Sequence, residues 1–280
     1  MTGRLWKIGD KIVDLSERGM IMGVLNVTPD SFSDGGEFFD SGVAIERGIQ
    51  IEAEGADIID IGGESTRPGA ESVSVEEELK RVIPVIEKLF SKIDIPISID
   101  TSKSEVAKAA LDAGASIIND VTAGRNDEKM LPLAATRKAA LVLMHMQGEP
   151  RTMQKNPEYS DVVREVADFF RQQYACAIEC GVDPMRLAFD PGIGFGKTLE
   201  HNLSLLKNLK QLRVQDRPLV VGVSRKSFLG KLIGSNEMAD RVGPTLAMTS
   251  ILRERGADVV RVHDVKENVT ALRIAESVLS

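Results

Sequence analysis

Polar side chains able to do chemistry recur along this chain, each at the C-terminal end of a short run of β-branched and aliphatic residues. In order they are Asn26, then Glu64-Ser65-Thr66-Arg67, Asp100, Asn119, His145, Asp190, Ser224-Arg225-Lys226, and Arg261 with His263. Asp100, Asn119, Asp190 and Lys226 together supply two carboxylates, a carboxamide and an ammonium. That donor and acceptor set suits a flat heterocycle with several hydrogen-bonding edges. Arg67, Arg225, Lys226, Arg261 and His263 add local positive charge for an anion. These types point to a pocket that takes a polar ring at depth and a phosphate-like group near its rim.

Such residues must be carried by elements that bring them to one place. The runs are MIMGVLNV from Met20, DIIDIGG from Asp57, PISIDT from Pro96, SIINDVT from Ser116, ALVLMHM from Ala140, LAFDPGIG from Leu187, PLVVGVS from Pro218 and DVVRVHD from Asp258. Near-continuous Val, Ile and Leu is the pattern of parallel strands covered on both faces. Between them, VEEELKRVIPVIEKLF, SEVAKAALDAGA and VVREVADFFRQQYACAIE repeat apolar residues at helical spacing, and Gly follows several of them as a helix stop. Eight alternations predict one (β/α)₈ TIM barrel spanning 1–280, with a doubly wound open sheet as the alternative topology. In RLWKIGDKIVDLS two short runs flank Gly9-Asp10, which predicts a β-hairpin lead-in over 1–16 that plugs the bottom of the barrel. Residues of equal parity share a strand face. Asn26 therefore points with Val24, Asp100 with Ser98, Asn119 with Ile117, Asp190 with Ala188 and His263 with Arg261, while His145 points opposite to Met144.

The 280 residues carry a net charge of −7, which argues against a general nucleic-acid binder. No run reaches membrane-span length and the first residues hold no signal-peptide core. Two Cys suit a reducing compartment; Cys176 and Cys180, one turn apart, are expected to be packing residues. A soluble cytoplasmic protein is the expectation, with the Asn-x-Ser/Thr triplets at Asn26, Asn202 and Asn268 idle. GIGFGKT from Gly192 is neither a Walker A loop, since Pro191 stands where Gly is needed, nor a dinucleotide fingerprint. It reads as a loop opening a helix, with Lys197 serving turn chemistry. The three His are far apart in sequence, so a His-based metal site is not expected; any metal would be Mg²⁺ on oxygen ligands.

MGVLNVTPDSFSDGG from Met22 and DIGGESTRPGA from Asp60 resemble the two signature segments of the dihydropteroate synthase family. SIDTSK, INDVTAG, LMHMQGEPRTMQ, FDPGIGFGKTLEHN, GVSRKSFLG and RVHDV resemble its remaining blocks in the same order, over nearly the whole chain. The resemblance implies a (β/α)₈ barrel that joins 4-aminobenzoate to 6-hydroxymethyl-7,8-dihydropterin diphosphate, in folate biosynthesis. It places the pterin on Asp100, Asn119, Asp190 and Lys226, with Met144 and Phe195 packing near the ring. It places the diphosphate on Asn26, Arg67, Arg261 and His263, with Asn26 also near Mg²⁺. Thr28, Phe32, Ser33, Thr66, Arg67, Pro68 and Ser227 would form the 4-aminobenzoate pocket, where sulfonamides compete in the family. Asp100, Lys226, Arg261 and His263 would be catalytic, acting electrostatically while diphosphate leaves and the aniline nitrogen attacks. The loops holding Gly35-Gly36 and Pro68-Gly69 would close and exclude water. Pro244 stands where many relatives have Gly, in a position suited to a first helical turn. A homodimer is implied by family analogy. A pterin-binding methyltransferase domain shares the barrel and ring pocket, and a non-catalytic pterin binder is the other competing reading. STRPG and SRKS, together with the anion cluster, favour the synthase.

Overall fold

Aliphatic runs bounded by Gly, Pro and Asp fold as strands, and amphipathic segments between them fold as helices that cover the outside. The computed structural model describes residues 3–28, 41–65, 72–148, 153 and 156–279. Strands β1 (Leu5–Ile8) and β2 (Lys11–Asp14) form an antiparallel hairpin. Then follow β3 (Met20–Asn26), α1 (Ser41–Ala53), β4 (Ile58–Gly62), α2 (Val75–Phe90), β5 (Ile97–Asp100), α3 (Ser104–Asp112), β6 (Ile117–Asp120), α4 (Met130–Arg137) and β7 (Ala140–Met144). The chain continues through α5 (Val162–Glu179), β8 (Leu187–Asp190), α6 (Leu199–Lys207), β9 (Val220–Gly222), α7 (Ser227–Ile233), α8 (Val242–Glu254), β10 (Val259–Val262) and α9 (Val265–Leu279).

Strands β3 to β10 pair in parallel in the order β8-β7-β6-β5-β4-β3-β10-β9. The ring closes where Phe189 bridges Leu219, with Phe189 N–H donating to the Pro218 carbonyl at 2.9 Å. Closure makes this a (β/α)₈ barrel rather than an open doubly wound sheet. Local signals agree with it. Ser74 caps α2 by accepting from Glu77 N–H, Asp161 caps α5, and Thr198 with His201 forms a capping box on α6. Pro244 lies in the first turn of α8, where its missing N–H has no helical partner to lose.

Alternation divides the barrel's residues into two apolar bodies. Ile21, Leu25, Ile59, Ile61, Ile99, Ile118, Leu143 and Phe189 face the helices. Gly23 lies on this outer face, where an added Cβ would fall 2.5 Å from Ile51, so the absence of a side chain admits α1. Met22, Ile58, Ile117, Ala140, Val142, Ala188, Val220 and Val259 fill the interior below the polar layer. Trp6, Ile8 and Leu15 of the hairpin complete that inner body, as expected of a plug. Trp6 is fully buried and its indole N–H donates to the Arg186 carbonyl at 3.0 Å.

The outward face of α5 corrects one expectation. Its buried stripe is Val162, Val166, Ala167, Phe170 and Ala177, which leaves Cys176 and Cys180 exposed as free thiols instead of packed. No helix among the described residues is long and apolar enough to cross a membrane.

Trp6→Ala should remove the plug's largest side chain and cost about 3–5 kcal/mol of stability, as for other buried aromatic truncations. Urea denaturation followed by circular dichroism measures it; a loss below about 1 kcal/mol would contradict the plug's role.

Candidate active site

Two strand registers set the polar layer. Val24, Asp60, Ser98 and Ile117 pair in one row across β3 to β6, and Asn26, Gly62, Asp100 and Asn119 pair in the next row toward the C-terminal end. Asp60, Asp100 and Asn119 share inward parity with Ile58 and Ile117 of the inner body. Arg261 on β10 points inward beside Val259, and on the opposite wall Asp190 pairs with Met144.

Arg261 joins the carboxylates. Its Nε donates to Asp60 Oδ2 at 2.6 Å and its Nη2 donates to Asp100 Oδ2 at 2.7 Å. Asn119 Nδ2 donates to the same Asp60 oxygen at 3.0 Å. Burial pushes the Asp100 carboxyl up to about 7; the Arg261 charge opposes this and the neighbouring Asp60 adds to it. Burial alone would lower the Arg261 guanidinium, but Asp60 and Asp100 outweigh it and hold the group above its ordinary range. Asp190 is raised by burial against the pull of Lys226, and its Oδ1 accepts from Gly192 N–H at 2.7 Å. Lys226 donates to the Ile193 carbonyl and stands 4.7 Å from the centre of the Phe195 ring; burial brings its ammonium down to about 8. Phe195 packs on a cluster of Val121, Met144, Met146 and Met153, so the two residues expected beside the ring lie together.

The rim lies beyond this layer. Asn26 is half-buried at the end of β3, and Thr28 follows it, also half-buried. His263 is half-buried with its Nδ1 3.1 Å from Ser224 Oγ. Ser227 is exposed at the first turn of α7. Phe32, Ser33, Thr66, Arg67 and Pro68, with the Gly35-Gly36 and Pro68-Gly69 pairs, lie outside the described residues. No group of three His, Cys, Asp or Glu among the described residues could hold a metal.

Two sequence expectations change. Arg225 is not part of an anion cluster: its Nε and Nη2 both donate to the Asp264 carboxylate, which neutralises it. Lys197 is not a turn residue. It is buried, and its ammonium donates to His145 Nδ1 at 3.0 Å, to the Phe195 carbonyl at 2.9 Å and to the His145 carbonyl at 3.3 Å. Burial brings Lys197 down to about 7 and drives the His145 imidazole down to about 2, so His145 accepts as a neutral ring. His145 points away from the barrel interior, edge-on to Phe169 with ring centres 4.9 Å apart. The pair ties the segment after β7 to the segment after β8. Gly192 fits between them because an added Cβ would lie 2.0 Å from the His145 carbonyl oxygen.

Sequence reasoning missed Asp60. A lone acid at inward parity within the aliphatic run DIIDIGG is the signal that could have found it. The completed layer presents acceptors at Asp100 and Asp190, an amide at Asn119, an ammonium at Lys226, and thioether and aromatic faces at Met144 and Phe195. It can bind a flat polar ring edge-on and favour positive charge developing near Asp100.

Arg261→Ala should leave Asp60 and Asp100 without their cation, costing roughly 3–5 kcal/mol of stability near pH 8. The deficit should shrink toward pH 6, because protonating Asp100 removes buried charge. Urea melts at both pH values check the sign; an equal or larger deficit at low pH would contradict it.

The pterin binding enzyme family profile matches residues 22–263. A dihydropteroate synthase of Synechocystis is 46% identical over 270 residues, covering 96% of this chain and 93% of the relative. The fold superposes on a structure of Xanthomonas albilineans dihydropteroate synthase with 4-aminobenzoic acid at a TM-score of 0.92 and 44% identity, covering 100% of this chain and 99% of that one. A second structure of the Xanthomonas albilineans enzyme, in complex with 7,8-dihydropteroate, gives a TM-score of 0.88 at 41% identity, covering 99% of both chains.

Proposed function

Because the chain belongs to the dihydropteroate synthase family of pterin-binding enzymes, we propose that it condenses 6-hydroxymethyl-7,8-dihydropterin diphosphate with 4-aminobenzoate. It is a transferase of folate biosynthesis whose products are 7,8-dihydropteroate and diphosphate. The observation that carries this reading is the buried inward layer of Asp60, Asp100, Asn119, Asp190 and Arg261 with Lys226 beside it, set in a chain related to these enzymes over nearly its full length.

In the reaction the bond between the pterin methylene carbon and the diphosphate oxygen breaks, and its electron pair leaves with diphosphate. The aniline nitrogen then supplies the pair for the new C–N bond and loses a proton. Asp190 and Asn119 orient the pterin by hydrogen bonds, Lys226 donates to it, and Met144 and Phe195 cover its faces. Asp100, ionised and near the ring, stabilises the cation formed as diphosphate departs. Arg261, His263, Asn26 and Arg67 bind the diphosphate. Thr28, Phe32, Ser33, Thr66, Arg67, Pro68 and Ser227 receive 4-aminobenzoate. No nucleophilic side chain is needed, so every protein role is binding, orientation, electrostatics and exclusion of water.

The donor set fits Mg²⁺ better than a softer metal. The hard carboxamide oxygen of Asn26, half-buried at the mouth, suits an ion held by one side chain, diphosphate oxygens and water. Asn26 would help hold Mg²⁺ there, and the ion would supply positive charge for the leaving diphosphate. A homodimer is supported by Ile251 on α8 and Ile274, Val278 and Leu279 on α9, apolar side chains left exposed on neighbouring helices. Both cysteines are free thiols, which supports a reducing, cytoplasmic setting. We read 1–280 as one pterin-binding barrel domain with its lead-in hairpin.

Purified protein with both substrates and Mg²⁺ should release diphosphate and form dihydropteroate, followed by coupled phosphate detection and chromatography. No diphosphate under those conditions would overturn the assignment. The kcat/KM for the pterin substrate should be bell-shaped in pH. It rises through about 7 as Asp100 ionises and falls through about 8 as Lys226 loses its proton. A flat profile from pH 5.5 to 8.5, a span of roughly three decades in proton activity, would contradict the assigned charge states.

A further inference from the structure

Asp60 is fully buried, and it belongs to neither the ring-facing row nor the rim. Its Oδ2 accepts from Arg261 on one side and from Asn119 on the other. The contact to Asn119 crosses β5 from β4 to β6. It passes over Ser98, whose small side chain leaves room for the two longer ones to meet. A carboxylate held by Arg261 accepts hydrogen bonds and cannot donate them. Asn119 must therefore turn its NH₂ group toward Asp60, and its carbonyl oxygen away from it.

A carboxamide has nearly the same shape in either orientation, so packing alone cannot choose between them. Charge at position 60 can. We infer that Asp60 is a specificity-determining positioning residue: by accepting from Asn119 Nδ2 it fixes the carboxamide so that Oδ1 is presented to an N–H of the bound ring. The inference rests on the pterin reading above and deepens it. The ligand class selected is a fused 2-amino-4-oxopyrimidine, whose amino edge donates, over a 2-oxo ring of the same outline, whose corresponding edge accepts.

Residue swaps test this. In Asp60→Asn, residue 60 can donate as well as accept, so Asn119 can turn round. In Asp60→Asn/Asn119→Asp, the carboxamide now at position 60 donates to the carboxylate now at position 119, which again presents only acceptors to the ring. Net charge and shape are kept. Calorimetry with 6-hydroxymethylpterin and with its 2-oxo analogue, 6-hydroxymethyllumazine, gives the ratio of affinities; thermal melting shows that each variant folds.

Asp60→Asn should lower the pterin-to-lumazine ratio about tenfold, the scale of one hydrogen bond changed from donor–acceptor to acceptor–acceptor. The double variant should recover the ratio to within about threefold of wild type, which a merely structural role for Asp60 would not produce. A folded Asp60→Asn that keeps the wild-type ratio overturns the inference, and so does a folded double variant no better than the single. Should Asp60→Asn fail to fold, the charge-conserving double variant decides: a ratio within about threefold of wild type supports the inference and a lower one overturns it. Wild-type protein that binds neither ring refutes the pocket reading itself, a result distinct from binding without discrimination.

Discussion

The site depends on one cation inside the barrel. Asp60 and Asp100 enter the interior from adjacent strands, above a floor of Met22, Ile58, Ile117, Val142 and Val259 that offers them no hydrogen bond. Two carboxylates so placed repel each other and lose hydration; without a partner they would neutralise or force the barrel open. Arg261 reaches them from β10 and gives each a charge-assisted hydrogen bond. Its planar fork can serve two acceptors at once, which a lysine's single ammonium nitrogen at this position does less well. The pair is made between residues 201 apart in sequence, so the layer forms only when β10 closes against β3.

The floor makes that cation necessary. Trp6, Ile8 and Leu15 seal the N-terminal end, so the polar layer has a dry apolar body on one side and the mouth on the other. Electrostatic interactions strengthen in such a place, and so do the costs of leaving any charge unmatched. A hairpin at the far end of the barrel thus bears on the polar layer through the low-dielectric body it completes. On the β7–β8 side, Lys197 does comparable work with neutral partners. Its three acceptors hold two loop segments together, and one of those acceptors is the backbone of Phe195 itself.

Much of this was legible in the residues. Eight aliphatic runs and the Gly9-Asp10 turn predicted the barrel and the plug, and strand parity predicted which residues point together, as Asp100 with Ser98, Asn119 with Ile117 and Asp190 with Ala188, because those depend on local pattern and the geometry of a pleat. Which face is inward came from the closed barrel. Asp60 was hidden for a different reason. It stands inside a run that reads as core, and its meaning comes from Arg261 on the last strand. Arg225 was misread because its neutralising partner, Asp264, is also distant along the chain. Lys197 was misread because GIGFGKT looks like a solvated turn; only the packing of the loop after β8 on His145 shows the ammonium to be enclosed. The thiols at the end of α5 failed by angle: Cys176 lies in its last turn and Cys180 caps it, and neither falls on the stripe through Val166 and Phe170.

On the proposed function, the same layer would serve both binding and chemistry. A barrel that holds Asp100, Asp190 and Lys226 in one pocket keeps them all partly against their preference, since burial lifts both acids and lowers the ammonium. On the proposed function, a ring that donates to the acids and accepts from the lysine would relieve each of them, so affinity for the right donor order would grow out of the cost of assembling the site. On the proposed reaction, positive charge would develop beside Asp100 as the leaving group departs, and Asp100 is already held in place by Arg261. Beyond its proposed contact with diphosphate, Arg261 would have two duties that oppose each other: keeping Asp100 charged, yet not cancelling the field that Asp100 would exert on the ring. Dividing the guanidinium between Asp100 and Asp60 resolves this. Arg261 donates to both carboxylates, so its charge would not be spent on Asp100 alone where the proposed cation forms.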